Sequence, residues 1–139
     1  MSRRASIFDR LALKERVAIN KQMKSLGALS TEFRQIDKMR EKLEEMARDQ
    51  THSDGVQNAG SLRAAAQLNF QIRVQLDTAS NRSEHLAEEL RNIRQRIAQS
   101  DRRREKSTNK ADALRAKAQN DRDTKREDDE ASRRRNQPR

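Results

Sequence analysis

The chain has 139 residues, 39% of them charged and 32% hydrophobic, with three Gly, one Pro, three Phe and neither Tyr nor Trp. That is too little apolar material for a compact globular core, and sandwiches and barrels, which need frequent turns and bulky interiors, are excluded; the chain is helical or disordered. A net charge of +10 and a pI near 10.8 predict affinity for an anionic surface, whether nucleic acid, lipid or acidic protein.

Cysteine is absent, which excludes disulfides and thiolate metal sites and agrees with a reducing compartment. Met1-Ser2-Arg3-Arg4 carries the basic residues of a signal peptide, but Asp9, Arg10, Lys14 and Glu15 break up any apolar region behind it. No stretch is long and apolar enough to span a bilayer, so a cytoplasmic protein with at most peripheral membrane association is expected.

A first helix reads from about Ser6 to Asp49, where Ser6 and Asp9 have the spacing of a capping box. Its apolar residues are Ile19, Met23, Leu26, Leu29, Phe33, Ile36, Met39, Leu43 and Met46. Consecutive steps of three (Met23 to Leu26 to Leu29, Phe33 to Ile36 to Met39) predict local overwinding, and Gly27 weakens the helix there. Residues 50–60 hold Thr51, Ser53, Asp54, Gly55, Asn58 and Gly60, turn and cap formers without periodic apolar residues; they predict a hairpin loop, with Ser61 as N-cap of the next helix.

The second helix carries the strongest pattern in the chain. Leu62, Ala65, Ile72, Leu76, Ala79, Leu86, Leu90, Ile93 and Ile97 follow alternating three- and four-residue steps, interrupted only by Asn69 and Ser83. Nine of eleven seam positions are therefore apolar, and one face needs a partner helix. A short polar loop favours antiparallel pairing within the chain, although a parallel dimer through the same seam fits the periodicity too. With the loop centred near residue 55, residue x faces about 110 minus x at equal rise in both helices. Ile36 then meets Ile72 to Leu76, Met46 meets Leu62 and Ala65, and the first helix is exhausted near residue 105.

The expected fold is all-α: a long antiparallel two-helix coiled-coil hairpin with an overhanging, charged second helix. Its parts are 1–49, a loop at 50–60, a paired helix at 61–105 and a frayed extension at 106–139, where i,i+4 pairs such as Asp121 with Lys125 support only marginal helicity. Leu68, Phe70, Ile72, Val74 and Leu76 alternate like a strand, but no second strand-like segment exists and the heptad runs through them. On a helix, Phe70 and Val74 lie off the seam, so Met39, Leu43, Met46, Phe70, Ile72, Val74 and Leu76 form a candidate partner patch in which Ile72 and Leu76 read first as core.

No catalytic apparatus is legible. His52 and His85 lack metal-ligand spacing, and His52-Ser53-Asp54 holds the residue types of a hydrolase triad in an order that cannot arrange them in space. Three scattered glycines make no phosphate loop, and Glu44-Glu45 and Asp128-Asp129 read as solvated pairs. Arg102 to Arg104 and Arg133 to Arg135 could contact phosphates, yet interleaved acids and missing aromatics argue against a native nucleic-acid partner.

Three short segments resemble the FliJ family of flagellar export proteins and its type III secretion stalk relatives. They are Phe8, Leu11, Leu13, Lys14 and Glu15 at the start; Gly60-Ser61-Leu62 followed by Leu68, Ile72, Leu76 and Ala79; and Lys125, Glu127, Asp129, Glu130 and Ala131 followed by arginines. The chain departs from that family in having no Tyr or Trp near the loop. The resemblance implies a cytoplasmic, non-enzymatic stalk without cofactors. It would dock into the hexameric flagellar export ATPase, link that ring to a membrane export-gate protein and meet export chaperones. Lys125, Arg126, Asp129, Glu130, Arg133, Arg134 and Arg135 would then form the ATPase-docking extension. The alternatives are a generic coiled-coil scaffold and a basic nucleic-acid-binding helical protein.

Overall fold

The single proline, Pro138, lies behind all the helix-forming sequence, and long stretches of Ala, Leu, Arg, Lys, Glu and Gln meet no helix breaker apart from glycines. In the computed structural model, which describes residues 3–51 and 58–138, these stretches form two helices, α1 (Arg3–Thr51) and α2 (Ala59–Arg135). The two helices pack against each other and no strand occurs among the described residues. The strand-like alternation at 68–76 is helical, because on a helix it leaves Ile72 on the seam.

Cap chemistry refines the boundaries. Asn58, rather than Ser61, caps α2: its Oδ1 accepts a hydrogen bond from the Ser61 amide at 2.8 Å, and its carbonyl accepts from the Leu62 amide at 3.0 Å. At the other end the Asn136 amide closes on the Ser132 carbonyl at 3.2 Å, and Pro138 follows where the helix can no longer continue. α1 starts at Arg3, so Ser6 and Asp9 form no capping box; the Asp9 carboxylate instead pairs with Arg115. The centre of the expected loop, including His52, Ser53 and Asp54, lies outside the described residues.

Packing divides the chain into two units, Met1–Lys21 with Arg96–Arg139 and Gln22–Gln95. In the first, Asp9 contacts Arg115, Lys110 lies over the Phe8 ring at 5.4 Å, and Arg103 comes within 4.0 Å of Glu15. Positions rise along α1 as they fall along α2, so the helices are antiparallel. In the second, Arg82 Nε and Nη2 donate to Glu32 Oε1 at 3.1 and 2.6 Å, and Ser30, Phe33 and Arg34 share a shallow cleft with Ala87, Leu90, Arg91 and Arg94.

The α2 seam follows the predicted heptad, whose register continues at weaker positions from Ile97 through Ala118. Ala65, Asn69, Ile72, Leu76, Ala79, Ser83, Leu86, Leu90, Ile93 and Ile97 are all buried or half-buried, as are Ser100, Arg104, Ser107, Ala111, Leu114 and Ala118. Pairing thus extends past the expected limit of residue 105, and the exposed extension runs from Gln119 to Pro138, helical as far as Arg135. At the other end Leu62 is exposed and the seam begins at Ala65. The symmetric hairpin assumption is what fails: it sets Asp9 opposite residue 101 and Phe33 opposite residue 77, whereas Asp9 meets Arg115 and Phe33 lies level with Ala87 and Leu90. Ile36, less than one turn beyond Phe33, therefore lies opposite the turn around Ser83, not Ile72.

α1 carries an unbroken heptad of its own. Its inward positions are Ala5, Phe8, Ala12, Glu15, Ile19, Gln22, Leu26, Leu29, Phe33, Ile36, Arg40, Leu43, Ala47 and Gln50. The overwound steps expected at Met23 and Met39 do not occur, since Met23, Met39 and Met46 stand outside the seam and about half-exposed. Gln22 and Arg40 take the seam positions expected of Met23 and Met39, and Ala47 that of Met46. Arg40 is held at its rim by Asp37 at 3.1 Å and Glu44 at 3.8 Å, its apolar stem lying along the interface. Such polar layers lower stability and fix register.

Candidate docking surfaces

The partner patch expected near the loop divides by burial. Leu43 and Ile72 are core, Leu76 is half-buried, and Met39, Met46, Phe70 and Val74 are exposed, with Phe70 at 68% the most exposed large apolar residue in the described chain. The seam heptads place Met39 and Met46 on one flank of α1, seven residues apart, and Leu68 on the matching flank of α2. Phe70 and Val74 point away from the seam on the outer side of α2. The seven residues thus comprise an inner structural group and an outer group available to a partner.

This separation gives a direct prediction. Replacing Phe70 and Val74 together with Ala should change stability by no more than about 1 kcal/mol, as for other exposed positions, whereas Ile72→Ala should cost about 2 to 4 kcal/mol. Thermal melts followed by circular dichroism check both; a loss from the outer pair as large as that from Ile72 would make Phe70 and Val74 structural. If the outer pair is a hot spot, the same double variant weakens partner binding with helicity intact.

The expected ATPase-docking residues, Lys125, Arg126, Asp129, Glu130, Arg133, Arg134 and Arg135, are all exposed on the part of α2 that runs beyond the pairing with α1. No apolar residue other than Ala131 lies among residues 119–135, so any partner there is recognised through charge and hydrogen bonds.

A second apolar surface escaped the sequence reading. Ile7, Leu11, Leu13 and Val17 are all exposed within the first four turns of α1. Their signal was present, because Ala5, Phe8 and Ala12 already supply the seam at this end and these four are surplus to it. It was missed because the apolar stripe was begun at Ile19.

Electrostatics at these surfaces are those of solvated side chains. Glu32, by accepting two hydrogen bonds and by its nearby charge, raises the already high pKa of the Arg82 guanidinium, with Glu89 adding to the effect. A raised basic pKa contributes stability below the unfolded value that is lost only as pH rises through the folded one, far into alkali. His85 Nε2 lies 2.8 Å from Glu89 Oε1 on the exposed side of α2. No group of His, Cys, Asp and Glu among the described residues could hold a metal ion. Glu44 is engaged with Arg40, and Asp128 and Asp129 are open to solvent. No helix among the described residues is long and apolar enough to cross a membrane.

Together these features define a class, the all-α helical hairpin packed by heptads, with exposed apolar and charged surfaces. Comparison with protein families, curated proteins and solved structures finds no match.

Proposed function

We propose that this chain is a non-enzymatic stalk of a flagellar type III protein export apparatus, docking into the hexameric export ATPase and linking it to the membrane export gate. The supporting observation is the antiparallel heptad hairpin whose second helix continues, wholly exposed, from Gln119 to Arg135. A helix end without its own packing partner and with dense charges of both signs suits insertion into a polar ring lumen. Phe70 and Val74, on the other unit, suit a gate contact. The similarity of the three short segments to FliJ proteins supports the same reading, as does a location in the cytoplasm, peripheral to the inner membrane. Nucleic acid fits less well, because Phe70 is the only aromatic side chain fully exposed among the described residues.

Hydrogen exchange with and without the export ATPase tests the proposal. The amides of Asp121 to Arg135 should be weakly protected in the free chain and gain protection in the complex, since this part of α2 is exposed along its whole length. Equal protection in both states, together with unimpaired motility on deletion of the gene, would remove the stalk reading.

A further inference from the structure

The seam heptads divide the outer surface of the terminal unit into two flanks of different composition. On one the charges are mixed, Asp9, Asp101, Glu105 and Asp112 standing with Arg16 and Arg115. On the other, the α2 positions one residue before each seam residue Ile97, Arg104, Ala111 and Ala118 are Arg96, Arg103, Lys110 and Lys117, cations at four successive heptads. Lys106 lies between them, and Arg4, Lys14 and Lys21 occupy the facing flank of α1. This flank contains no acidic residue from either helix through Ala118. Glu15, the nearest, is turned into the interface beside Arg103.

Within the cationic field stand two exposed aliphatic side chains, Ile7 (54%) and Leu11 (43%). We propose that this flank binds an anionic lipid surface, laying both helices along it with cations at the headgroups and Ile7 and Leu11 at the acyl boundary. Four features favour lipid. The cations are about 10.5 Å apart along α2 and span about 30 Å, a shallow distributed pattern to which mobile lipid phosphates can adjust. The flank has no exposed aromatic anchor of the kind that concentrates binding energy in protein interfaces. Phe8 lies beneath Lys110, leaving no ring for base stacking. Finally, an acyl boundary removes Ile7 and Leu11 from water, whereas a nucleic-acid backbone does not.

Co-sedimentation of the full chain with vesicles of phosphatidylglycerol in phosphatidylcholine tests this without any export component, so it stands apart from the stalk reading. The chain should partition onto these vesicles, decreasingly as salt is raised, and not onto pure phosphatidylcholine. Each cation near such a surface multiplies partitioning by about five, so Lys14→Glu, Lys106→Glu and Lys117→Glu combined should lower it by at least about tenfold. A control with the same charge change in the exposed extension, Arg122→Glu, Arg126→Glu and Arg134→Glu, should retain more than half of it. Should the flank variant lose helicity, Ile7→Ser with Leu11→Ser provides the second test, with about a fivefold loss expected from exposed positions. Absence of partitioning, equal loss in flank and control variants, or duplex DNA binding as tight as lipid and insensitive to Ile7 and Leu11 would each overturn the proposal.

Discussion

Leu86→Asp should abolish the packing of the two helices in residues 22–95, and Leu86→Ala should cost about 3 kcal/mol, a large share of the few kcal/mol expected of so narrow a seam. Leu86 is 0% exposed, the largest fully buried side chain described, with Leu90 and Ser83 buried on either side. Both helices cover this position completely, and the short Asp side chain, unlike a long Arg, cannot carry its carboxylate out to the rim. Helical nucleation then becomes limiting, since single helices rely on tertiary packing of one face. Far-UV circular dichroism should report a marked fall in helicity, and light scattering should show a monomer for the native chain. If the native chain were a dimer and Leu86→Asp a fully helical monomer, the intrachain hairpin would be displaced by the parallel-dimer alternative.

Removal of residues 106–139 should unfold the start of α1, while removal of residues 121–139 should leave it intact. The first deletion removes the inward residues Ala111, Leu114 and Ala118 from the unit that holds Ala5, Phe8 and Ala12, and takes Lys110 from the Phe8 ring and Arg115 from Asp9. With full burial of a Leu or Phe side chain worth about 1.5 to 3 kcal/mol, these losses total on the order of 3 kcal/mol. The exposed ion pair adds little, as such pairs contribute about 0 to 1 kcal/mol. Hydrogen exchange at residues 3–21 distinguishes the two chains: protection should persist in the longer and vanish in the shorter. Equal protection would mean that the packing beyond residue 105 contributes nothing to α1.

The all-α fold and the inner face of α2 were readable from residue order. Apolar and small residues occupy most of its heptad positions, and a period of seven can be satisfied only by burying one helical face. On α1 the same reading chose the wrong members. Met39 and Met46 resemble core residues but occupy flanks that a two-helix interface leaves half-open, while Gln22, Arg40 and Gln50 take inward positions, Arg40 meeting Asp37 and Glu44 at the rim and Gln22 keeping its Oε1 buried. In so narrow an interface hydrophobicity is a weak guide to burial. Register lay beyond the sequence as well. Periodicity determines which face of each helix turns inward but not how far one helix slides along the other; that is decided by mutual packing and contacts such as Phe8 with Lys110 and Asp9 with Arg115. Tertiary structure therefore set where pairing ends, at Ala118, and which apolar residues remain exposed, Ile7 and Leu11 among them.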